Sequence, residues 1–291
     1  MELFRALAMF AEPVGEGSER VAEALELGPL PSESEYTDTF LFQLYPYASV
    51  YLGAEGMMGG EARDRVAGFW RALGFAPPAE PDHLSVMLAL YAELAGLEEK
   101  EPDEKMRERL RHARTAFLWE HLLSWLPVYL HKLSRIASPF YRKWGETLSA
   151  ALVEELEAMD VPRQLPLQLR SQHCLFDPRE QGAEEFLQSL LAPARSGMIL
   201  TRADLSRAAR SLGLGLRAGE RKFALRSLFN QNPQGVMKWL LGEASEWREH
   251  HRRSVPTLGA IAAAWLEKTE KASVLLEELK LSAEDTKSNA G

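Results

Sequence analysis

The sequence predicts an all-α protein, on three observations. Through most of the 291 residues, apolar side chains recur every three or four positions, a spacing that places them on one face of a helix. Alternating runs of Val, Ile and Thr, which are typical of strands, are nearly absent. Glycine, proline or an acidic residue bounds each periodic segment, as at helix ends. We therefore expect a helical bundle with an additional C-terminal helical extension.

The helices are predicted in chain order from these patterns. The stretch "GGEARDRVAGFWRALGF" indicates one helix. The next helix follows Pro81, and its apolar stripe consists of Leu84, Met87, Leu88 and Tyr91. A longer helix is expected from Met106 to Tyr129, with a kink near Pro127. The stretches "FYRKWGETLSAALVEELEAM" and "GAEEFLQSLLA" indicate two more.

Three parts of the chain differ in character. Residues 192–201 include Pro193 and Gly197 and separate an acidic helical block from a more basic one. We place an all-helical domain at residues 1–193, a basic helical extension at 194–281 and a flexible tail at 282–291.

Composition and charge exclude several classes of function. Hydrophobic residues make up 46% and charged residues 26%, as in ordinary globular proteins, and the net charge of −8 argues against a nucleic-acid binder that uses its whole surface. The one cysteine, Cys174, excludes an internal disulfide and suits a reducing cytosol. The N-terminus lacks the pattern of a signal peptide, and no apolar run approaches the roughly 20 residues of a membrane span. We predict a cytoplasmic protein.

Asp82 and His83 invite comparison with a catalytic pair. Pro81 suits the first position of a helix, where Glu80 or Asp82 caps the free amides. Adjacent side chains on a helix point about 100° apart, and no serine or cysteine nucleophile is set beside the pair. We predict no catalytic residues and no enzymatic activity.

Aromatic residues mark two other stretches. His121 and Trp125 lie one helical turn apart in "FLWEHLLSWLPVYLHKL", and "LYPYASVYLG" places Tyr47 and Tyr51 around a proline turn. From the pattern alone, core packing is the simpler interpretation of Trp125 and Tyr129.

Taken in order, "YPYASVYLG", "EPDHLSVML" and "FLWEHLLSWLPVYLHKL" resemble the TorD/DmsD/NarJ family of cytosolic chaperones for molybdenum oxidoreductases. In that family an E-P-x-D-H-like motif opens a helix and a His-Leu-x-x-Trp-x-Pro element follows; here Glu80, Pro81, Asp82 and His83 match with slightly compressed spacing. The resemblance covers roughly residues 36–192. It implies a TorD-like helical bundle that binds the client's twin-arginine leader, or its apoenzyme, until the molybdopterin cofactor is inserted. It does not imply catalysis.

A twin-arginine leader presents two guanidinium groups followed by an apolar stretch, so its receptor needs carboxylates beside apolar or aromatic surface. With the resemblance, this predicts that the two acids accept the arginines, that the aromatic rings supply apolar and cation–π surface, and that the histidine orients the site. The predicted leader-binding residues are Glu80, Asp82, His83, Tyr47, Tyr51, His121, Trp125 and Tyr129.

Other functions stay open. Residues 199–226 carry seven basic side chains against two acidic ones, in a helix, glycine turn and helix that suits a DNA groove, so a helical DNA-binding regulator is the alternative function. A ligand-binding enzyme is a second rival without motif support. The scattered histidines predict no metal site, and we predict no cofactor. A homodimer formed by helix exchange also stays open.

Overall fold

The computed structural model describes residues 2–160, 162–171, 173–217 and 219–288, with the backbone alone for residues 283–288. Within these ranges the chain forms sixteen α-helices and two π-helical segments, and its β pairing is one antiparallel bridge between Tyr47 and His83. The predicted all-α class is confirmed. Among the described residues, no helix combines the length and apolar character that crossing a bilayer requires. Contacts between Cα atoms divide the chain into two units.

The first unit consists of Met1–Leu52 and Met58–Gln168. Its helices are α1 (Glu2–Met9), α2 (Ser18–Ala24), α3 (Glu33–Tyr36), π1 (Thr37–Gln43), α4 (Ala48–Leu52), α5 (Gly60–Ala72), α6 (Leu84–Lys100), α7 (Glu104–Phe117), π2 (Leu118–Leu122), α8 (Leu126–Ile136) and α9 (Pro139–Glu157). Helix α6 packs against α1 and α7, and α9 packs against α1 and α8. The stripe predicted after Pro81 is buried in α6.

Buried aromatic rings fix α1, which leads into the candidate site. Phe4 meets Tyr91 of α6 edge-on, with 4.9 Å between the ring centroids. Trp144 of α9 is fully buried and donates from Nε1 to the carbonyl oxygen of Leu7 (2.9 Å). Helix α1 is therefore held to both α6 and α9.

A polar network joins α6, α7 and α9. Arg114 donates to Glu98 Oε2 (2.8 Å) and to Glu155 Oε2 (2.7 Å), and the hydroxyl of Tyr91 donates to the same oxygen of Glu155 (2.5 Å). Burial, helped by Glu155, raises the pKa of Tyr91, so its hydroxyl stays protonated and keeps donating. The network fixes α6, whose first turn belongs to the candidate site.

Residues 106–129 form two helices, not the single kinked helix that the sequence predicts. Helix α7 ends at Phe117, π2 follows, and α8 begins at Leu126 with Pro127 in its first turn. A proline is tolerated there because the missing amide proton would have no partner within the helix. Pro127 therefore starts a helix and does not bend one.

The second unit consists of Gly53–Met57 and Leu169–Gly291, and α10 (Leu167–Arg170) crosses the division. Its other helices are α11 (Ala183–Leu190), α12 (Pro193–Ser196), α13 (Arg202–Leu212), α14 (Arg221–Gln231), α15 (Pro233–Leu258) and α16 (Ala260–Ser288). Helices α15 and α16 pack along each other. The loop Gly53–Met57 approaches so closely that a Cβ on Gly56, where φ is +65°, would lie 2.8 Å from the Cα of Ala192.

The division of the chain falls before the boundary predicted at residue 193. Helix α11 packs against α12 and α14, and Phe186 and Leu190 lie in the same apolar core as Leu225. Pro193 and Gly197 bound α12 within this unit, so they mark a turn inside a domain. The first residues of the tail predicted at 282–291 belong to α16, which continues to Ser288. The hydroxyl of Ser282 donates to the carbonyl of Glu278 (2.9 Å) within this helix. Residues 289–291 lie outside the described ranges.

Candidate functional site

A short backbone pairing brings two of the predicted stretches together. Besides the bridge between Tyr47 and His83, the amide of Ala48 donates to the carbonyl of Asp82 (3.0 Å) and the amide of Leu84 to the carbonyl of Pro46 (2.8 Å). The start of α4 and the start of α6 are thereby fixed side by side. The aromatic turn and the Glu-Pro-Asp-His sequence form one local structure.

Asp82 lies inside this structure. It is 2% exposed, and its Oδ2 accepts from the amide of Ser49 in the first turn of α4 (3.1 Å). The Ser49 hydroxyl in turn accepts from the amide of Gly59 (3.0 Å). The carboxylate therefore serves the amides of α4 and is turned away from a ligand in solution.

The cap of α6 differs from the sequence prediction, which placed Pro81 in the helix and an acid at the cap. His83 is the N-cap residue: its Nδ1 lies 3.3 Å from the amide of Ser85, in acceptor position. Pro81 belongs to the turn before the helix. Asp82 does not cap α6 because its side chain is committed to Ser49.

The exposed side of the site is formed by Tyr47 and Glu80. The half-buried Tyr47 donates from its hydroxyl to Oε2 of the exposed Glu80 (2.8 Å), and its ring meets the His83 ring edge-on at 4.8 Å between centroids. Burial first, and Glu80 second, raise the pKa of Tyr47 well above its usual range. The phenol therefore remains a donor and holds the carboxylate in place.

Glu12 completes the site, and sequence reasoning missed it. Its Oε1 accepts from the hydroxyl of Ser85 (2.6 Å) and lies 3.3 Å from Nδ1 of His83, while about half of its side chain stays exposed (51%). The Ser85 oxygen is 2.7 Å from the same Nδ1. No periodicity or motif links Glu12 to α6; the contact depends on how α1 packs.

His83 is neutral at pH 7. Burial lowers its pKa, and the negative charges of Glu12, Glu80 and Asp82 oppose this without reversing it. The order of the groups also differs from a catalytic triad, in which the imidazole lies between the hydroxyl and the carboxylate. Here Ser85 lies between the imidazole and Glu12, so the hydroxyl proton is donated to the acid.

The predicted aromatic residues lie beneath the site. Tyr51 (2% exposed) and the fully buried Trp125 stack with 5.2 Å between centroids and 10° between planes, and Tyr129, fully buried as well, meets both rings edge-on. The hydroxyl of Tyr51 donates to the carbonyl of Tyr45 (2.8 Å) and that of Tyr129 to the carbonyl of Leu44 (3.4 Å). These rings hold the turn that carries Tyr47 from the core side.

His121 has a different environment. Its ring packs against Phe69 and Phe117, and the protein's described residues offer no hydrogen-bond partner to its Nδ1. Burial, with a smaller contribution from the charge of Arg65, lowers its pKa to about 4. Its carbonyl accepts from Nε1 of Trp125 (2.8 Å), which connects it to the aromatic group.

The basic residues that suggested DNA binding are largely engaged in the second unit. Arg207 pairs with Asp204 (2.9 Å) and Glu243 (2.7 Å), both buried. Arg226 and Lys222 pair with Glu184. Arg221 donates to the carbonyl of Leu200 (2.8 Å). Four of the seven basic side chains thus have partners within their own unit, which weakens the case for a phosphate-binding face.

In the part of the chain that the structure describes, no three His, Cys, Asp or Glu side chains group as metal ligands would.

An all-helical unit with Glu-Pro-Asp-His before a buried helix is what the resemblance to TorD-like chaperones predicts. Residues 7–130 match the family model described as nitrate reductase delta subunit. The chain is 32% identical over 88 residues to the chaperone protein TorD of Photobacterium profundum, and 36% identical over 89 residues to the chaperone protein TorD of Vibrio vulnificus. Each match covers 29% of this chain and 41% of the relative, less than half of its length. No solved structure matches the chain significantly.

Residues 7–130 are thus similar to the nitrate reductase delta subunit family, and part of the chain is similar to TorD chaperones. The resemblance seen in the sequence is confirmed. The matched range includes Glu12, Tyr47 and the first turn of α6, so the candidate site lies within it.

Proposed function

We propose that the protein is a cytoplasmic chaperone for the assembly of a molybdenum-containing oxidoreductase. It binds the twin-arginine leader of the client's catalytic subunit, holds the client until its cofactor is inserted, and catalyses no reaction itself. The observation that carries the proposal is a pair of exposed carboxylates, Glu12 and Glu80, held next to the buried His83 in a TorD-like domain.

The two carboxylates suit arginine side chains. A carboxylate offers about four acceptor positions and can receive a guanidinium group through two parallel hydrogen bonds. Among the described residues, Tyr47 bonds only Oε2 of Glu80 and Ser85 bonds only Oε1 of Glu12. The second oxygen of each acid is therefore available for a ligand. Each of the two acids can receive one arginine of the leader. This accounts for the preference for arginine over lysine that the proposal requires.

The buried members of the predicted site have a supporting role in this proposal. Asp82 holds the start of α4, and Tyr51 and Tyr129 hold the turn before Tyr47. With 2% or less of their surface exposed, these residues do not meet a peptide in this conformation. His121 supports π2 and lies outside the contact surface.

The test is a calorimetric titration of the full chain with a synthetic twin-arginine leader and with the same peptide carrying two lysines. We expect saturable binding of the arginine peptide and affinity at least about tenfold lower for the lysine peptide, because lysine cannot make the bidentate contact. Glu12→Gln with Glu80→Gln should weaken binding by a similar factor.

Glu108→Gln is the matched control, since Glu108 is an exposed acid on α7 outside the site, and it should bind as the native protein does. No binding of the arginine peptide would sink the proposal. So would equal affinity of the arginine peptide for the native protein and for the variant without both acids.

A further inference from the structure

We infer that π1 is the apolar half of the leader site, and that Leu41 and Phe42 contact the apolar stretch that follows the two arginines. This inference rests on the proposed function. It assigns the segment Thr37–Gln43 a role that neither the sequence patterns nor the family match assigns to it.

The two faces of π1 differ sharply. Phe40 is fully buried, and its ring meets Tyr141 at 4.8 Å and Trp144 at 6.0 Å between centroids. The next two residues, Leu41 and Phe42, are each 48% exposed. Two adjacent large apolar side chains are therefore exposed to solvent. The segment that carries them is held in place by the packing of Phe40 in the core. Short π-helical turns are frequent at functional sites.

The acids of the site flank this segment along the chain. Tyr36 immediately precedes π1, and burial together with the nearby charge of Glu12 raises its pKa. Tyr47, which holds Glu80, follows Phe42 by five residues, a span of at most roughly 18 Å when extended. The exposed apolar pair thus lies on the stretch that connects the surroundings of the two carboxylates.

This arrangement matches the chemistry of a twin-arginine leader better than that of other partners. In such a leader the positive charges come first and the apolar residues directly after them, so one short peptide needs acids and apolar surface within a few residues of each other. The acidic end supplies charge complementarity, and π1 is continuous with it through the turn at Tyr47.

The test compares two peptides on the full chain. One is the complete leader; the other keeps both arginines but replaces the apolar stretch with serine and glycine. For Leu41→Gln with Phe42→Gln we expect affinity for the complete leader to fall about ten- to a hundredfold, from the lost apolar burial, with affinity for the shortened peptide unchanged. The two single variants, each expected to show part of the loss, guard against misfolding of the double one, and circular dichroism checks folding.

Leu97→Gln with Met106→Gln is the matched control. Leu97 and Met106 are 37% and 42% exposed, similar to the π1 pair. Leu97 lies thirteen residues beyond Leu84 along α6, about 20 Å from the start of that helix. These changes should leave the affinity for both peptides unchanged.

The outcomes separate the two proposals. If the native protein does not bind the complete leader, the proposed function fails and the inference with it. If the native protein binds it and the π1 variant binds it equally, or loses both peptides equally, the inference fails alone. A native dimer that becomes a monomer in the π1 variant would also overturn it, because a second copy would then cover the pair.

Discussion

Glu80 and Asp82 are two residues apart and have opposite environments. Glu80 is exposed and is held by the hydroxyl of Tyr47, whereas Asp82 is buried and accepts from the backbone of α4. The same contrast runs through the whole predicted site. Glu12 and Tyr47 join Glu80 on the surface, and Trp125 lies with Asp82 below it.

One motif therefore serves two purposes. Its buried part ties α4, α6 and the turn before Tyr47 together, and its exposed part presents acceptors to a ligand. Changes to the first part should therefore alter the free energy of unfolding, and changes to the second should alter affinity.

The largest effect is expected from Trp125→Ala. Trp125 is fully buried and stacks on Tyr51, so its removal leaves a cavity and should lower the free energy of unfolding by about 3–5 kcal/mol, measured by urea denaturation. Trp70→Ala is the control, because Trp70 is only partly buried and should cost less. A loss below about 1 kcal/mol for Trp125→Ala would contradict its place in the core.

The next effect depends on pH. Burial lowers the pKa of His121 to about 4 in the folded protein, against about 6.5 when unfolded, so between these values the unfolded state binds more protons. The free energy of unfolding should therefore fall as the pH drops from about 6.5 to about 4, with a contribution from His121 on the order of 2 kcal/mol at pH 5.

His121→Phe should make the unfolding free energy less dependent on pH, measured by urea denaturation at pH 7 and pH 5. Met106→Gln, at an exposed position on α7, adds and removes no titratable group, so it is the control and should leave the dependence as it is in the native protein. An unchanged dependence in His121→Phe would show that His121 is accessible to protons in the folded state.

A smaller effect is expected from Asp82→Asn. The amide oxygen of asparagine can still accept from Ser49, but without the charge, so the free energy of unfolding should fall by about 1 kcal/mol. Glu108→Gln should change it by less than about 0.5 kcal/mol, as for other exposed positions. Equal stability of Asp82→Asn and the native protein would remove Asp82 from the supporting group.

The sequence alone could predict the helices around the site but only part of the site itself. Apolar periodicity reports which face of a helix is buried, so the stripe of α6 was predictable from Leu84 and Tyr91. Periodicity does not report a backbone bridge between Tyr47 and His83, or the contact of Glu12 with Ser85. Both depend on packing between distant segments.

The same limit explains the misplaced features. A proline before an apolar stripe is compatible with several helix starts, and the choice of His83 as the cap depends on the distant amide of Ser49, which engages Asp82. Residues 199–226 do carry an excess of basic side chains, yet acids from other helices, Glu184 and Glu243, pair with part of them. A count of charges along the chain contains no information on such pairs.

The most direct test of the division between recognition and support is to titrate the twin-arginine leader into Glu80→Gln and Asp82→Asn side by side, at a temperature where both are folded. We expect Glu80→Gln to lose about 1 kcal/mol of binding free energy, roughly fivefold in affinity, with unchanged stability. Asp82→Asn should lose less affinity despite its lower stability. A greater loss of affinity for Asp82→Asn than for Glu80→Gln would contradict this division.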